Sequence, residues 1–225
     1  MNRGYYVTGT DTAVGKTLVS VALLHALRAR GHSAVGMKPV ASGCEQTIDG
    51  LRNDDAIELQ AASAPTPAYA LVNPFALPAA TAPQIAAQAA GIEVTLAPIL
   101  AAYRTLANTA DAMVVEGVGG WLAPLADGLE QARLAAALQL PVLLVVGMKL
   151  GCLNHARLTE RAILGDGLPL AGWVGNAIDP GLQFADQYTA LLGGALQSPC
   201  LGLLPHARDR VPATFATYLH LPPFG

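Results

Sequence analysis

At 225 residues, 52% of them apolar, 13% charged and with a formal net charge of −3, the chain is long enough for a sizeable core, and residues 1–225 are expected to form a single domain. The faintly acidic balance, without a basic run, argues against nucleic acid as a partner. No apolar stretch is long enough to span a membrane, since "LPVLLVVGMKL" is soon followed by Asn154 and His155 and contains Lys149. The start lacks the charged-then-apolar pattern of a signal peptide, and the three cysteines (Cys44, Cys152, Cys200) form no C-x-x-C, so a reducing, cytoplasmic setting is expected.

In chain order the pattern alternates between strands and helices. "GYYVTGT" reads as a strand, and residues 15–30 as a helix with Val19, Leu23, Leu24 and Leu27 on one face and Gly31 as its stop. "AVGMKPV" (34–40) reads as a second strand and "DDAIELQAA" (54–62) as a helix with acids in its first turn. Residues 65–83 carry a proline every few positions and read as an ordered surface excursion. A helix over 93–108 leads into the strand of "DAMVVEGVGG", followed by a helix (129–139), the strand "PVLLVVG" (141–147) and a helix (152–165). The strand "LAGWVGNAI" (170–178), a helix (183–196) and the strand "CLGLLP" (200–205) complete the series. The fold expected is α/β, a doubly wound, mostly parallel sheet flanked by helices, with ligands at the carboxyl ends of the strands.

The opening loop, "GTDTAVGKT", resembles a phosphate-binding loop with one residue too many: five residues, not four, separate Gly9 from Gly15. Gly15, Lys16 and Thr17 follow a strand and open a helix, so the first-turn amides favour an anion. Lys16 reaches the β/γ-phosphates and the Thr17 hydroxyl ligates Mg²⁺. The longer spacer gives Asp11 and Thr12 extra reach on the γ-phosphate side. This context makes the fold P-loop NTPase-like. "AMVVEG" ends in Glu116 where nucleotide hydrolases place a metal-oriented acid, the alternative being a helix cap, and the glycines of "EGVGG" let backbone approach a ligand closely. In "RNDDAIEL", Asp54 or Asp55 is an N-cap, or Asp55 joins the metal. In "KPVASG", Lys38 sits at a strand's carboxyl edge, either as a surface charge or to neutralise a transferring phosphoryl group, with Ser42 beyond it.

"GTDTAVGKT", "KPVASG", "LRNDDA", "VNP", "VEGVGGW", "LPVLLVVGMKLGCLNHA" and "LAGWVGN", in that order, resemble the dethiobiotin synthetase family across nearly the whole chain. The resemblance implies an ATP-dependent cyclo-ligase of biotin biosynthesis. 7,8-Diaminononanoate and CO₂ form a carbamate, which attacks the γ-phosphate; the second amine closes on the carbamoyl phosphate to give the ureido ring. It implies ATP along Ala13, Val14, Gly15, Lys16, Thr17, Leu18, Glu116, Gly117, Val118, Gly119, Asn176, Ala177, Pro205, His206 and Ala207. Mg²⁺ is implied on Thr17, Asp55 and Glu116, and a catalytic role for Thr12, Lys16 and Lys38, with Thr12 and Ser42 on the substrate. Gly151, Cys152, Leu153 and Asn154 open a helix suited to the substrate carboxylate, and the family supplies this loop from the partner of a homodimer. Cys152 reads as a small helix-start residue, not a nucleophile. Ala13 stands where relatives often carry an acid, leaving only its backbone to act, and the tail after His206 carries less of the family pattern. Two alternatives are a cobyrinate-type amidotransferase, which needs a second domain, and a partition- or cell-division-type ATPase switch, which carries an early loop lysine where Thr10, Asp11 and Thr12 stand here.

Overall fold

A computed structural model describes residues 3–207 and 211–223. In chain order the elements are β1 (Gly4–Gly9), α1 (Lys16–Ala29), β2 (Ala34–Met37), β3 (Val40–Ser42), β4 (Glu45–Thr47), β5 (Gly50–Arg52), α2 (Asp54–Ala62), α3 (Tyr69–Val72), β6 (Phe75–Leu77), α4 (Pro83–Ala90) and α5 (Leu96–Ala107). There follow β7 (Ala112–Glu116), β8 (Pro124–Ala126), β9 (Leu129–Glu130), α6 (Gln131–Leu138), β10 (Val142–Gly147), α7 (Cys152–Gly165), β11 (Leu170–Asn176), α8 (Ala185–Ala195), β12 (Cys200–Leu204) and α9 (Pro212–Phe215). Six strands form the central sheet in the order β12-β11-β10-β1-β7-β2. All five pairings are parallel.

The apolar runs are continuous because both faces of the sheet are covered. Tyr5 and Val7 of β1, Val114 of β7, and Leu143 and Val145 of β10 point into one layer, where α1 and α2 pack. Tyr6, Met113 and Val115 point into the opposite layer with α5 and α6. Leu144, Val146 and Trp173 extend that second face beneath α7 and α8. The period of two along each strand thus sorts neighbouring residues onto opposite faces.

Local chemistry explains where the elements depart from expectation. The single strand expected over 34–40 divides at Lys38-Pro39: β2 stays in the main sheet, while β3 pairs with β6 in a separate two-stranded sheet. Proline at 39 has no N–H for a ladder, so the chain turns there and Lys38 is left at the sheet's carboxyl edge. The excursion over 65–83 contains α3 and β6, and its Val72 and Leu77 are fully buried. Asn53, rather than either aspartate, caps α2, its side chain accepting from the Ala56 N–H at 3.3 Å. That frees Asp55 for the site. The β4–β5 hairpin, α4 and the β8–β9 pair were not expected; each is short and half exposed, so its hydrophobic pattern is weak.

Candidate active site

The sequence between β1 and α1 builds the site's floor. Gly15 takes a left-handed conformation (φ 86°) and caps α1 without a side-chain hydrogen bond, so the first-turn amides of the helix stay free for an anion. Ala13 is also left-handed, at φ 58°, a conformation that costs a residue bearing a Cβ and aims the loop's backbone at the cavity. The carbonyl of Val14 accepts from Asn176 Nδ2 at 2.8 Å, so the end of β11 props the loop from below. A Cβ on Gly15 would lie 2.1 Å from that same amide. Only glycine fits there.

Four charged side chains converge above this floor. Lys38 Nζ, 3% exposed, donates to Glu116 Oε1 at 2.5 Å, to Asp55 Oδ2 at 2.9 Å and to the Gly117 carbonyl at 3.3 Å. Thr17 Oγ1 lies 2.7 Å from Asp55 Oδ1 and 3.0 Å from Glu116 Oε1. Lys16 Nζ donates back to the Asp11 carbonyl at 3.0 Å. Burial is the largest influence on Lys38 and acts to lower it, but Glu116 and Asp55 together outweigh that and hold the ammonium above its ordinary range. Burial likewise works to raise Asp55, and Lys38 and Thr17 reverse it, so the carboxyl is held below its ordinary range. Lys16 has less compensation: burial, then the Lys38 charge, push it down to about 8. A phosphate is the kind of ligand that would relieve this site.

Thr12, Ala13, Gly15, Lys16, Thr17, Leu18, Lys38, Ser42, Asp55, Glu116, Val118 and Gly119 all line one cavity of about 490 Å³. Most of the residues expected for loop, metal and phosphoryl transfer are therefore brought together; Val14 is buried in the core and, like Gly117, does not line the cavity. Asp11 is not among them; it turns outward to Lys149 at 3.3 Å, and the Thr12 N–H at 2.7 Å, more than Lys149, holds it below the usual carboxylate range. Of the longer spacer, Thr12 faces the cavity while Asp11 ties the loop to the segment before α7. Ala177, Pro205 and His206 lie together in a second, largely apolar cavity of about 360 Å³ with Met148, and His206 Nδ1 is 3.1 Å from the Ala177 carbonyl. Ala207 packs against the core beside α1. Gly151, Cys152, Leu153 and Asn154 line neither cavity; Gly151 is left-handed at φ 94°, Cys152 is 1% exposed and Asn154 is exposed.

Three residues had been assigned no role. Glu58, one turn beyond Asp55 on α2, lines the main cavity, and burial, then the Asp55 and Glu116 charges, raise its carboxyl. Its i, i+3 spacing from Asp55 is the signal that marks it. Pro212 of the tail closes the same cavity; residues 208–210 and 224–225 of that tail lie outside the described residues. Asn73 of "VNP" is 4% exposed and donates to the Lys38 carbonyl at 2.7 Å, while the Lys38 N–H donates to the Val72 carbonyl at 2.8 Å. The excursion thus fixes the backbone of the central lysine.

The donor set also fits a hard cation. Among the described residues no three His, Cys, Asp or Glu side chains cluster as a self-sufficient metal cage. Mg²⁺ in nucleotide sites needs only one or two carboxylates besides phosphate and water. Thr17, Asp55 and Glu116 present oxygens alone, and the buried Glu116 Oε2 has no hydrogen-bond partner, an atom with unspent capacity to accept a cation.

A parallel sheet whose first strand runs through a glycine-ended loop into a helix start, with Lys-Thr at that start and a carboxylate at the neighbouring strand end, defines a P-loop nucleotide-binding protein. Two solved structures share the fold: the MinC:MinD cell division complex of Aquifex aeolicus (TM-score 0.58, 14% identity, covering 92% of this chain and 82% of that one) and the signal recognition particle receptor FtsY of Elizabethkingia anophelis in complex with GDP (TM-score 0.53, 15% identity, 97% and 64%). Residues 3–214 match a family model described as an AAA domain. The chain is 56% identical over 218 residues to the ATP-dependent dethiobiotin synthetase BioD of Xanthomonas oryzae pv. oryzae (strain PXO99A), covering 97% of each. It is 57% identical over 217 residues to that of Xylella fastidiosa (strain 9a5c), covering 96% of each. The chain belongs to the ATP-dependent dethiobiotin synthetase family, a family of ligases.

The Lys38–Glu116 pair makes a stability prediction. Lys38→Met leaves a buried carboxylate without its ammonium and is expected to cost about 3 kcal/mol. The double variant Lys38→Met, Glu116→Leu should recover most of that loss in urea unfolding. A double-variant loss equal to the sum of the Lys38→Met and Glu116→Leu losses measured singly would show that the two charges are not coupled.

Proposed function

We propose that this chain, acting as one P-loop domain, converts 7,8-diaminononanoate, CO₂ and ATP into dethiobiotin, ADP and phosphate. The observation that carries the reading is the convergence of Thr12, Lys16, Thr17, Lys38, Ser42, Asp55 and Glu116 on one cavity in a chain of this family. One amine of the substrate adds to CO₂ and loses a proton to give a carbamate. A carbamate oxygen attacks the γ-phosphorus, the bond to ADP breaks, and a carbamoyl phosphate forms. The second amine then attacks the carbonyl carbon and expels phosphate, closing the ureido ring.

The residues serve this sequence by position and charge, with no protein nucleophile needed. Lys16 and the free first-turn amides of α1 hold the β/γ-phosphates. Thr17, Asp55 and Glu116 would hold Mg²⁺, which neutralises phosphate oxygens when bound. Lys38 supplies a second cation, and Thr12 and Ser42 offer hydroxyls on the side where the carbamate must lie. Val118 and Gly119 form the facing wall. Asn176, Ala177, Pro205, His206 and Ala207 are assigned to the adenine side. Three free cysteines support a reducing, cytoplasmic setting, and no described helix is long and apolar enough to cross a membrane.

In this assignment the helix start at 151–154 grips the distant carboxylate of the substrate bound to a second copy. Within its own chain it faces neither cavity, and the adjoining Leu150 is 80% exposed, which supports a homodimer with sites built from two chains.

Two experiments test this. ADP release should require both diaminononanoate and bicarbonate, and Lys16→Gln should lower kcat by about 10²–10³-fold with the fold intact; ADP release that ignores either substrate would reject the reaction. For the dimer, Lys16→Gln and Gly151→Glu chains, each inactive alone, should partly recover activity when mixed under subunit exchange. No recovery despite demonstrated exchange would place both groups in one chain.

A further inference from the structure

Gln131 is 1% exposed although it stands at the first position of α6, where the preceding Glu130 caps nothing with its side chain. A glutamine is not needed to start that helix, and burying an amide costs energy unless both ends are satisfied. Both are. Tyr6 Oη, wholly buried on β1, donates to Gln131 Oε1, and Gln131 Nε2 donates to the Val118 carbonyl. The direction of the chain of bonds is fixed, because a backbone carbonyl only accepts, so the amide nitrogen must face Val118 and the oxygen must face the phenol.

The carbonyl so held belongs to the wall of the nucleotide cavity. Val118 and Gly119 line it opposite Thr12, two and three residues after Glu116. Gly117 rests on the same pair: a Cβ there would lie 2.9 Å from Gln131 Oε1 and 3.0 Å from Tyr6 Oη. Its N–H donates to the Val7 carbonyl at 2.9 Å. Beyond it, Gly120 approaches the phosphate loop closely enough that a Cβ would lie 3.6 Å from the Gly9 carbonyl. Trp121 closes the segment, packed edge-on against the Tyr6 ring (centroids 6.3 Å apart, 81°) and donating to Asp166 Oδ2 at 2.7 Å. Residues 117 and 119–121 are each held by the phosphate loop, the core or close packing. Val118 is held by Gln131.

We propose that Gln131 is a positioning residue for the nucleotide: through the Val118 carbonyl it fixes Val118, the one residue of the 117–121 wall not held by the phosphate loop, the core or close packing. This rests on assigning that wall to the nucleotide site. A purely structural role for the same side chain makes a different prediction, and the difference is measurable. Gln131→Met matches the shape, leaves Tyr6 Oη without an acceptor and frees Val118. Adding Tyr6→Phe removes the orphaned hydroxyl, and replacing both polar partners with apolar groups restores stability. It does not restore the hold on Val118.

The test compares wild type, Tyr6→Phe, Gln131→Met and the double variant for thermal midpoint and for KM and kcat with Mg·ATP. Gln131→Met should lose several degrees, which the double variant largely regains, on the order expected for one buried hydroxyl. KM for Mg·ATP should stay raised about tenfold in both, while Tyr6→Phe remains within about threefold of wild type. Gln131→Asn, a methylene too short to reach both partners, should raise KM as well. A KM that returns to the wild-type value in the double variant, tracking the midpoint, would overturn the proposal. Should Lys16→Gln bind nucleotide as tightly as wild type, the site assignment itself fails, and the proposal with it.

Discussion

A lysine ammonium buried between two carboxylates is the constraint around which the rest of the molecule is arranged. Lys38 is 3% exposed and Glu116 fully buried, so neither charge survives there alone. Each therefore dictates the placement of other elements. Pro39 ends β2 so that Lys38 stands at the sheet's edge, the amide of Asn73 and the carbonyl of Val72 lock its backbone, and the Asn53 cap starts α2 where Asp55 reaches it. Such an assembly gives little net stability, since desolvation offsets most of the attraction. What it does is gather cationic and anionic groups at one point of the cavity.

The sheet makes that arrangement possible by running all its strands the same way. β1 and β7 deliver the phosphate loop and Glu116 to the same edge, and β11 delivers Asn176 to support the loop. The extra residue in the loop, which set it apart from the common spacing, divides its labour: Thr12 faces the cavity, and Asp11 pairs with Lys149 before α7. An ion pair as exposed as that contributes little energy. It does tie the phosphate loop to Lys149, just before α7.

Much of this was legible in the sequence because the deciding signals are local. The apolar runs of β1, β7, β10, β11 and β12 and the helices α1, α2 and α7 are read from periodicity, and the site residues from a strand–loop–helix context that spacing specifies. What escaped is what depends on distant partners. Pro39 announces a break, but nothing nearby says that Val40 will pair with Phe75. Asn53 takes the cap that either aspartate could have filled, and Asp55 is bonded instead to Lys38, seventeen residues away. Gln131 lies 125 residues from Tyr6 and reads as an ordinary helix residue until the fold buries it. The β4–β5 and β8–β9 pairs are too short and too exposed to carry a pattern.

On the proposed reading, the cluster of Lys16, Thr17, Lys38, Asp55 and Glu116 receives nucleotide phosphates together with a divalent cation. The most direct measurement is the thermal midpoint of the protein with Mg²⁺ alone, with a non-hydrolysable ATP analogue in EDTA, and with both. A small effect is expected from either alone and a large one from both, about 2.7 kcal/mol when the complex is at a hundred times its Kd. An analogue that stabilises the protein equally with Mg²⁺ and with EDTA would contradict it.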